Sequence, residues 1–162
     1  MKINKKTGLR VFDMTILRSW KPCYDPIKHL PETWRGNAIE ILKNEKISHA
    51  DRLWVVLRTD LVSERVMRLF AVWSYRETLK FIKNPDPRSV ECANVAERFA
   101  NGDATSKDLC AAWSAAWSAA RSAAWSAAES AARSEMEKLQ INKLIEMLEV
   151  EAKERLNKRI KK

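Results

Sequence analysis

The chain has 162 residues, with 30 Lys and Arg against 21 Asp and Glu, which gives a formal net charge of +9. Three Gly residues are too few for a turn-rich β-sandwich or barrel, and apolar runs stop at about five residues, too short to span a membrane. Three scattered Cys residues favour reduced thiols in the cytoplasm over a disulfide framework. We therefore expect a cytoplasmic, all-α protein, a compact helical bundle with a long Ala-rich C-terminal helix, forming one domain over 1–162.

The N-terminal part is interrupted by proline. Pro22, Pro26 and Pro31 each remove a backbone donor and disfavour helix in the residue before them. We expect residues 1–33 to form an irregular segment, within which 9–18 adopt either helix or a short strand.

The middle of the chain, 34–104, is expected to form a helical core. A weak amphipathic pattern covers 34–43. A helix over about 64–83 carries apolar residues on two faces, one with Phe70 and the other with Ile82, which is typical of a central helix buried between neighbours. Capping residues mark where the helices begin and end. In chain order these are Ser48 with Asp51, Ser63, Asp86 before Pro87, Gly102, and Thr105 with Asp108.

A tetrapeptide repeat occupies residues 111–134 and reads AAWS AAWS AARS AAWS AAES AARS. Alanine has the highest helix propensity, and the helical pattern covers 105–160 without Gly or Pro. Each four-residue step advances about 400°, so successive repeat positions rotate by about 40° around the helix. We therefore expect Trp113 and Trp117 to pack on the central helix and Trp125 to be exposed.

Three interpretations of the repeat stay open: neutral low-complexity sequence, a core helix, and a recognition surface. Trp and Arg are enriched at binding hot spots, so the repeat and the N-terminal segment supply the candidate partner-binding residues. They are Trp125, Arg121, Arg133, Trp20 and Trp34. A helix of this length is also expected to project or to pair with a second copy, which would give a homodimer.

The positive charge is concentrated at the two ends of the chain. Residues 1–35 contain eight basic and three acidic side chains, and residues 152–162 contain six basic and one acidic. The C-terminal cations suit the negative end of a helix dipole, which is typical of a solvated helix end. The alternative is a tail that contacts nucleic-acid phosphates. The residues of that tail are Lys158, Arg159, Lys161 and Lys162.

Residue patterns that would indicate enzymatic chemistry are sparse. His29 and His49 are the only imidazoles, and the sequence contains no Cys-x-x-Cys, no His-x-x-x-His and no Gly-rich phosphate loop. Nothing in the pattern supports a Cys–His pair between Cys23 and His29. We expect a protein that is not an enzyme, with no catalytic residues, no metal and no cofactor.

Two motifs and the repeat together resemble a known family. The stretches HADRLWVVLR and PDPRSVECANVAERFANGDATSKDL, followed by the AAWS run, are similar to small Ala-rich helical proteins of bacteria and phages, often labelled immunity proteins. The residues that carry the resemblance are Asp51, Leu53, Trp54, Leu57 and Arg58 in the first motif and Asp86, Arg88, Ser89, Phe99, Gly102, Ala104, Thr105 and Leu109 in the second. The resemblance covers about 46–134 and implies an all-α protein that binds and neutralises a toxin or defence protein.

Two functional hypotheses follow. The first is a non-enzymatic, protein-binding inhibitor, either immunity-type or a phage-encoded antagonist of a bacterial toxin, defence system or host enzyme, which acts by stoichiometric contact. The second is a nucleic-acid-binding protein that uses the basic N- and C-terminal ends. No membrane partner is expected.

Overall fold

The computed structural model of the chain describes the backbone of residues 1–120 and 129–160, and the side chains of 1–116 and 136–160. The chain folds into two compact units, the first made of Met1–Ser63 with Ile141–Lys162 and the second of Glu64–Gln140. No helix among the described residues is both long enough and apolar enough to cross a membrane.

Helices account for most of the described chain. They are α1 (Met14–Ser19), α2 (Ala38–Lys43), α3 (His49–Val56), α4 (Glu64–Leu79), α5 (Pro87–Asn101), α6 (Ser106–Ala120) and α7 (Glu129–Ile160), with one 3-10 turn at Pro26–Lys28. Three short strands accompany them, β1 (Lys2–Ile3), β2 (Arg10–Asp13) and β3 (Arg35–Asn37).

The strands correct the all-α prediction. They form one antiparallel sheet in the order β1-β2-β3, with Lys2 opposite Val11 and Phe12 opposite Gly36. Strands of two to four residues are too short to show the alternating pattern that identifies a strand in sequence. The fold is therefore mainly helical with a small sheet, and the segment over 9–18 contains both a strand and a helix.

The first unit has a tightly closed apolar core. Its largest fully buried side chains come from β2, from α2, from α3 and the turn that follows it, and from α7. They are Phe12, Ile41, Leu42, Val56, Val62, Leu144 and Leu148. Segments far apart in sequence thus share one core, to which α7 contributes Leu144 and Leu148.

The N-terminal hairpin turn contacts α7 within this core. Gly8 has a φ of +69°, and a Cβ built on it would lie 3.1 Å from Leu156 Cγ and closer than 3.0 Å to the carbonyl oxygen of Ala152. Only glycine leaves room for this approach. The turn is closed by a hydrogen bond of 2.9 Å from the Gly8 amide to the Asn4 carbonyl.

In the second unit, α5 packs against both α4 and α6, so α5 occupies the central place that the sequence predicts for the segment 64–83. That segment ends as a helix at Leu79, and Ile82, expected on its second apolar face, is 43% exposed. The expected burial of Trp113 is also wrong, because its side chain on α6 is 59% exposed.

The capping predictions are confirmed at several helix ends. The amide of Asp51 donates to Ser48 Oγ at 3.2 Å, and the Asp108 and Thr105 amides donate to each other's side chains at 3.2 and 2.8 Å. Asp86 accepts from the Arg88 amide at 2.8 Å at the start of α5. The helix ends at Gly102, where φ is +89°.

The long C-terminal helix is described in two pieces. α6 ends at Ala120 and α7 begins at Glu129, so the predicted continuity of a helix over 105–160 falls on residues outside the described part. The expected positions of the Trp117 and Trp125 side chains fall there as well. Pairing of the helix with a second copy stays a prediction.

Candidate protein-binding surface

The candidate surface of the first unit is centred on Arg58, whose guanidinium lies over the rings of two tryptophans. The Arg58 guanidinium carbon lies 4.0 Å from the ring centroid of Trp54 and 4.8 Å from that of Trp20. Both separations are within the range of cation–π attraction. Trp54 is 41% exposed, whereas Trp20 and Arg58 are half-buried. We call these three residues the Trp–Arg cluster.

The Trp–Arg cluster packs against the apolar core of the first unit. The ring of Trp20 packs against Phe12 at a centroid distance of 5.5 Å, and Trp34 meets the same Phe12 ring edge-on at 5.2 Å. Phe12 is 1% exposed. A Cβ on Gly36 would lie 2.7 Å from Trp34 Cζ2, so the indole of Trp34 lies directly against the strand backbone. Trp20 therefore contacts both the buried Phe12 ring and the Arg58 guanidinium.

The exposed side of α3 continues the cluster as a shallow, open depression. Its lining is largely apolar, with one imidazole at one end and the Arg58 guanidinium at the other. The lining residues are His49, Ala50, Leu53, Trp54, Leu57 and Arg58. An open, mostly apolar surface with a single charged group at its rim matches the general anatomy of protein-binding sites better than that of a closed small-molecule pocket.

A hydrogen-bonded network fixes the proline-containing loop beside this surface. The Tyr24 hydroxyl donates to Asp51 Oδ2 at 2.8 Å, and Ser48 Oγ donates to the same oxygen at 2.6 Å. Burial, followed by the bond to Asp51, raises the pKa of Tyr24 to about 12. The Ser48 hydrogen bond is the main cause that lowers the pKa of Asp51. At neutral pH Asp51 is thus ionised and Tyr24 protonated, the pair of states that holds the loop to α3.

A second network ties the same loop to α1. Arg18 lies within 3.1 Å of Asp25 and 2.6 Å of Glu32. Hydrogen bonds from Arg18 contribute to lowering the pKa of both carboxyls, after the Ile27 amide in the case of Asp25. The three side chains are largely exposed, so each ion pair adds little stability singly. Together they tie the loop to α1, in addition to the backbone hydrogen bonds of the 3-10 turn at Pro26–Lys28.

In the structure, two of the predicted partner-binding residues, Trp20 and Trp34, pack against the same ring, that of Phe12. The side chains of the other three, Arg121, Trp125 and Arg133, lie outside the described residues. Trp54 and Arg58 are absent from the partner-binding residues predicted from the sequence. Their i,i+4 spacing is the same signal of cation–π pairing that marks Arg121 and Trp125 in the repeat.

The predicted nucleic-acid residues lie at the end of α7. Lys158 and Arg159 are exposed in its last turn, and Lys161 and Lys162 fall outside the described part of the chain. Among the residues that the structure describes, no group of three or more His, Cys, Asp or Glu side chains could hold a metal ion. Cys23 is exposed and lies beside Tyr24.

Comparison with known proteins adds no relative. No protein-family model matches the chain, and searches of curated proteins and of solved structures find nothing similar to it. The resemblance to the Ala-rich immunity proteins therefore stays a prediction from the two motifs and the repeat.

Proposed function

We propose that the protein acts by stoichiometric binding of another protein, which it contacts through the Trp–Arg cluster and the adjoining face of α3. The role of that contact, inhibition of a toxin, defence protein or host enzyme, is taken from the resemblance to immunity proteins. In this proposal the protein carries out no catalysis and requires no cofactor.

The observation that carries the proposal is the exposed Trp54 ring held against Arg58. Trp, Tyr and Arg are enriched at binding hot spots. The aromatic side chains bury a large area with two rotatable bonds, and Arg presents five donors in a planar fork that matches a carboxylate. Arg58 is oriented by two indole rings rather than by an acid, and no described carboxylate forms an ion pair with it. Its charge is thus available to a partner's carboxylate.

Pre-organisation strengthens the case. A side chain that is ordered before binding loses less conformational entropy on binding, a saving of about 0.5–1.5 kcal/mol for each rotamer-rich side chain. Arg58 is ordered by stacking, Trp20 by Phe12, and the neighbouring loop by the Tyr24–Asp51 bond. A partner would therefore meet a surface that already has its bound conformation.

The proposal is tested by affinity capture with matched variants. Tagged wild type, Trp54→Ala, Arg58→Ala and Trp113→Ala are each used to capture proteins from a bacterial lysate, and the captured protein is then purified and titrated calorimetrically. Trp113 is the control because it is a comparably exposed tryptophan in the second unit.

We expect one protein to be retained by wild type and by Trp113→Ala, with 1:1 stoichiometry. Because hot-spot truncation costs about 2 kcal/mol or more, Trp54→Ala should weaken its binding by about 30-fold. Equal retention by all four proteins, or loss only with Trp113→Ala, would move the binding surface away from the cluster.

A further inference from the structure

The two basic ends of the chain meet on one surface of the first unit. Gly8 of the hairpin turn packs on Ala152 and Leu156 of α7, and Arg155 Nη1 approaches the Gly8 carbonyl at 3.5 Å. These contacts join residues almost the whole chain apart. The lysines of the turn are therefore placed beside the cations at the end of α7.

Helix geometry sets which cations face the turn. Arg159 follows Ala152 by seven residues, which places it about 20° around the helix axis from Ala152 and about 10 Å further along it. Lys6 is two residues from Gly8, and the turn that contains Lys5 and Lys6 is closed by hydrogen bonds from the Lys6 and Thr7 amides to Asn4 Oδ1 at 2.9 and 3.3 Å. Lys158 flanks Arg159 in the last turn of α7 and lies about 120° around the axis from Ala152, beside the face that meets the turn.

These four cations are not neutralised by neighbouring acids. Lys5, Lys6, Lys158 and Arg159 are all exposed, and none of them forms an ion pair with an acid in the described part of the chain. Residues 1–12 contain no acidic side chain at all.

The acids on this part of α7 form no ion pair with these cations. Glu154 precedes Lys158 by four residues and lies about 40° from it around the helix, yet the two side chains form no ion pair. Glu151 pairs instead with Arg155 at 2.7 Å. In the second unit, by contrast, Arg76 and Arg98 have carboxylate partners. The place where the chain ends meet thus combines four cations without ion pairs with an N-terminal stretch that contains no acid.

We propose that Lys5, Lys6, Lys158 and Arg159 form one site that binds the phosphate backbone of nucleic acid without reading its sequence. The juxtaposition of the two ends is what creates the site, since neither end alone carries more than a short run of charge. It is separate from the Trp–Arg cluster and does not depend on the proposed protein-binding function.

The surroundings of the site favour nucleic acid over the other polyanions. A protein partner is recognised through buried aromatic or apolar anchors, and the described aromatic residues of this unit lie instead around Phe12 and Trp54. Stable membrane attachment needs an apolar stripe beside the cations. The apolar face of α7 is already buried through Ile141, Leu144 and Leu148. Repeating phosphates need only unpaired cations, which the site has.

Two exposed apolar side chains on this part of α7 do not restore a membrane-binding face. Val150 and Ile160 are 50% and 82% exposed, but they are ten residues apart and about 80° apart around the helix. They therefore form no continuous stripe.

The experiment is fluorescence anisotropy with a labelled duplex of about 20 base pairs and arbitrary sequence, titrated at several salt concentrations between about 50 and 200 mM. The variants are Lys5→Gln with Lys6→Gln, Lys158→Gln with Arg159→Gln, and the fourfold combination. The matched control removes the same number of charges from exposed cations of the second unit that form no ion pair in the described part of the chain, as Lys83→Gln with Lys107→Gln. Trp54→Ala separates this site from the protein-binding surface.

Each phosphate contact contributes about −0.9 to the slope of log K against log salt concentration. We therefore expect each double variant to flatten the slope by about 1.8 and the fourfold variant by about 3.6, with the control and Trp54→Ala unchanged. Absence of binding at about 50 mM salt would overturn the proposal. So would a slope that changes with only one of the two ends, or equally with the control.

Co-sedimentation with vesicles distinguishes nucleic acid from anionic lipid as the polyanion that binds at this site. With vesicles of phosphatidylcholine containing phosphatidylserine, we expect co-sedimentation to be weak at salt concentrations where the duplex binds. Strong sedimentation together with no duplex binding would assign the site to lipid instead.

Discussion

Replacing Gly8 with alanine tests the contact between the hairpin turn and α7 most sharply. The new Cβ would meet the Ala152 carbonyl oxygen and Leu156 Cγ, and the residue would have to keep a φ of +69°. Gly102→Ala is a matched control, because its φ is +89° and nothing lies within 4 Å of the Cβ position. The two variants share the backbone strain and differ in the clash.

The magnitudes follow from those two terms. A non-glycine residue in the left-handed region costs about 1–2 kcal/mol. Crowding a packed site costs about a further 1–3 kcal/mol, and at Gly8 one of the opposing atoms belongs to the backbone of α7, so it cannot rotate away. We expect Gly102→Ala to lower the free energy of unfolding by about 1–2 kcal/mol and Gly8→Ala by about 2–5 kcal/mol.

Urea unfolding followed by far-ultraviolet circular dichroism measures both variants. With an m-value of about 2 kcal/mol/M, the excess loss of about 2 kcal/mol in Gly8→Ala lowers its midpoint by about 1 M relative to Gly102→Ala. Equal midpoints for the two variants would refute the close approach of the turn to α7. The proposed nucleic-acid site depends on that contact, so the same result would also remove its structural basis.

Three further outcomes follow from the described contacts. Trp113→Ala should shift the free energy of unfolding by no more than about 0.5 kcal/mol, because the side chain is largely exposed; a loss of several kcal/mol in a thermal melt would restore the core interpretation of the repeat. Ser48→Ala should cost about 1 kcal/mol and Ser48→Gly only a few tenths, and equal losses in urea unfolding would contradict the capping role. Arg88 holds the pKa of Asp86 down to about 2 from its usual 3.8, so the contribution of this ionised cap to stability is present above about pH 4 and is lost as the pH falls toward about 2. The urea midpoint of wild type should accordingly drop more over that pH range than that of Asp86→Asn, and parallel drops would show that this carboxylate is not coupled to folding.

Local signals in the sequence predicted the helix ends well. Ser48 with Asp51, Asp86 before Pro87, and Thr105 with Asp108 are recognised because each depends on groups within three residues of one another. The same locality explains the confirmed helix end at Gly102.

The contacts between distant segments could be predicted from the sequence much less well than the helix ends. The sheet depends on pairing between Phe12 and Gly36, and strands this short carry no periodic signal of their own. The rotation of the repeat follows from ideal helix geometry, but rotation alone does not say which face meets a neighbour, and Trp113 proves to be exposed. The meeting of Gly8 with α7 requires knowledge of contacts across the chain that no local pattern contains.

The candidate binding surface could be predicted from the sequence only in part. Residue type alone points to Trp20 and Trp34, and the structure places both on Phe12. Trp54 and Arg58 carry a detectable i,i+4 signal, yet their junction with Trp20 arises only when the loop after α1 folds back toward α3.

The central claim is that Trp54 contacts a partner protein, and site-specific photo-crosslinking tests it most directly. Benzoylphenylalanine is placed at position 54, and at position 113 as the control, and bacterial cells producing each protein are irradiated. We expect position 54 to give one discrete cross-linked product that contains a second, different protein, and position 113 to lack that product. No product from position 54, or the same product from both positions, would contradict the assignment of the Trp–Arg cluster as the binding surface.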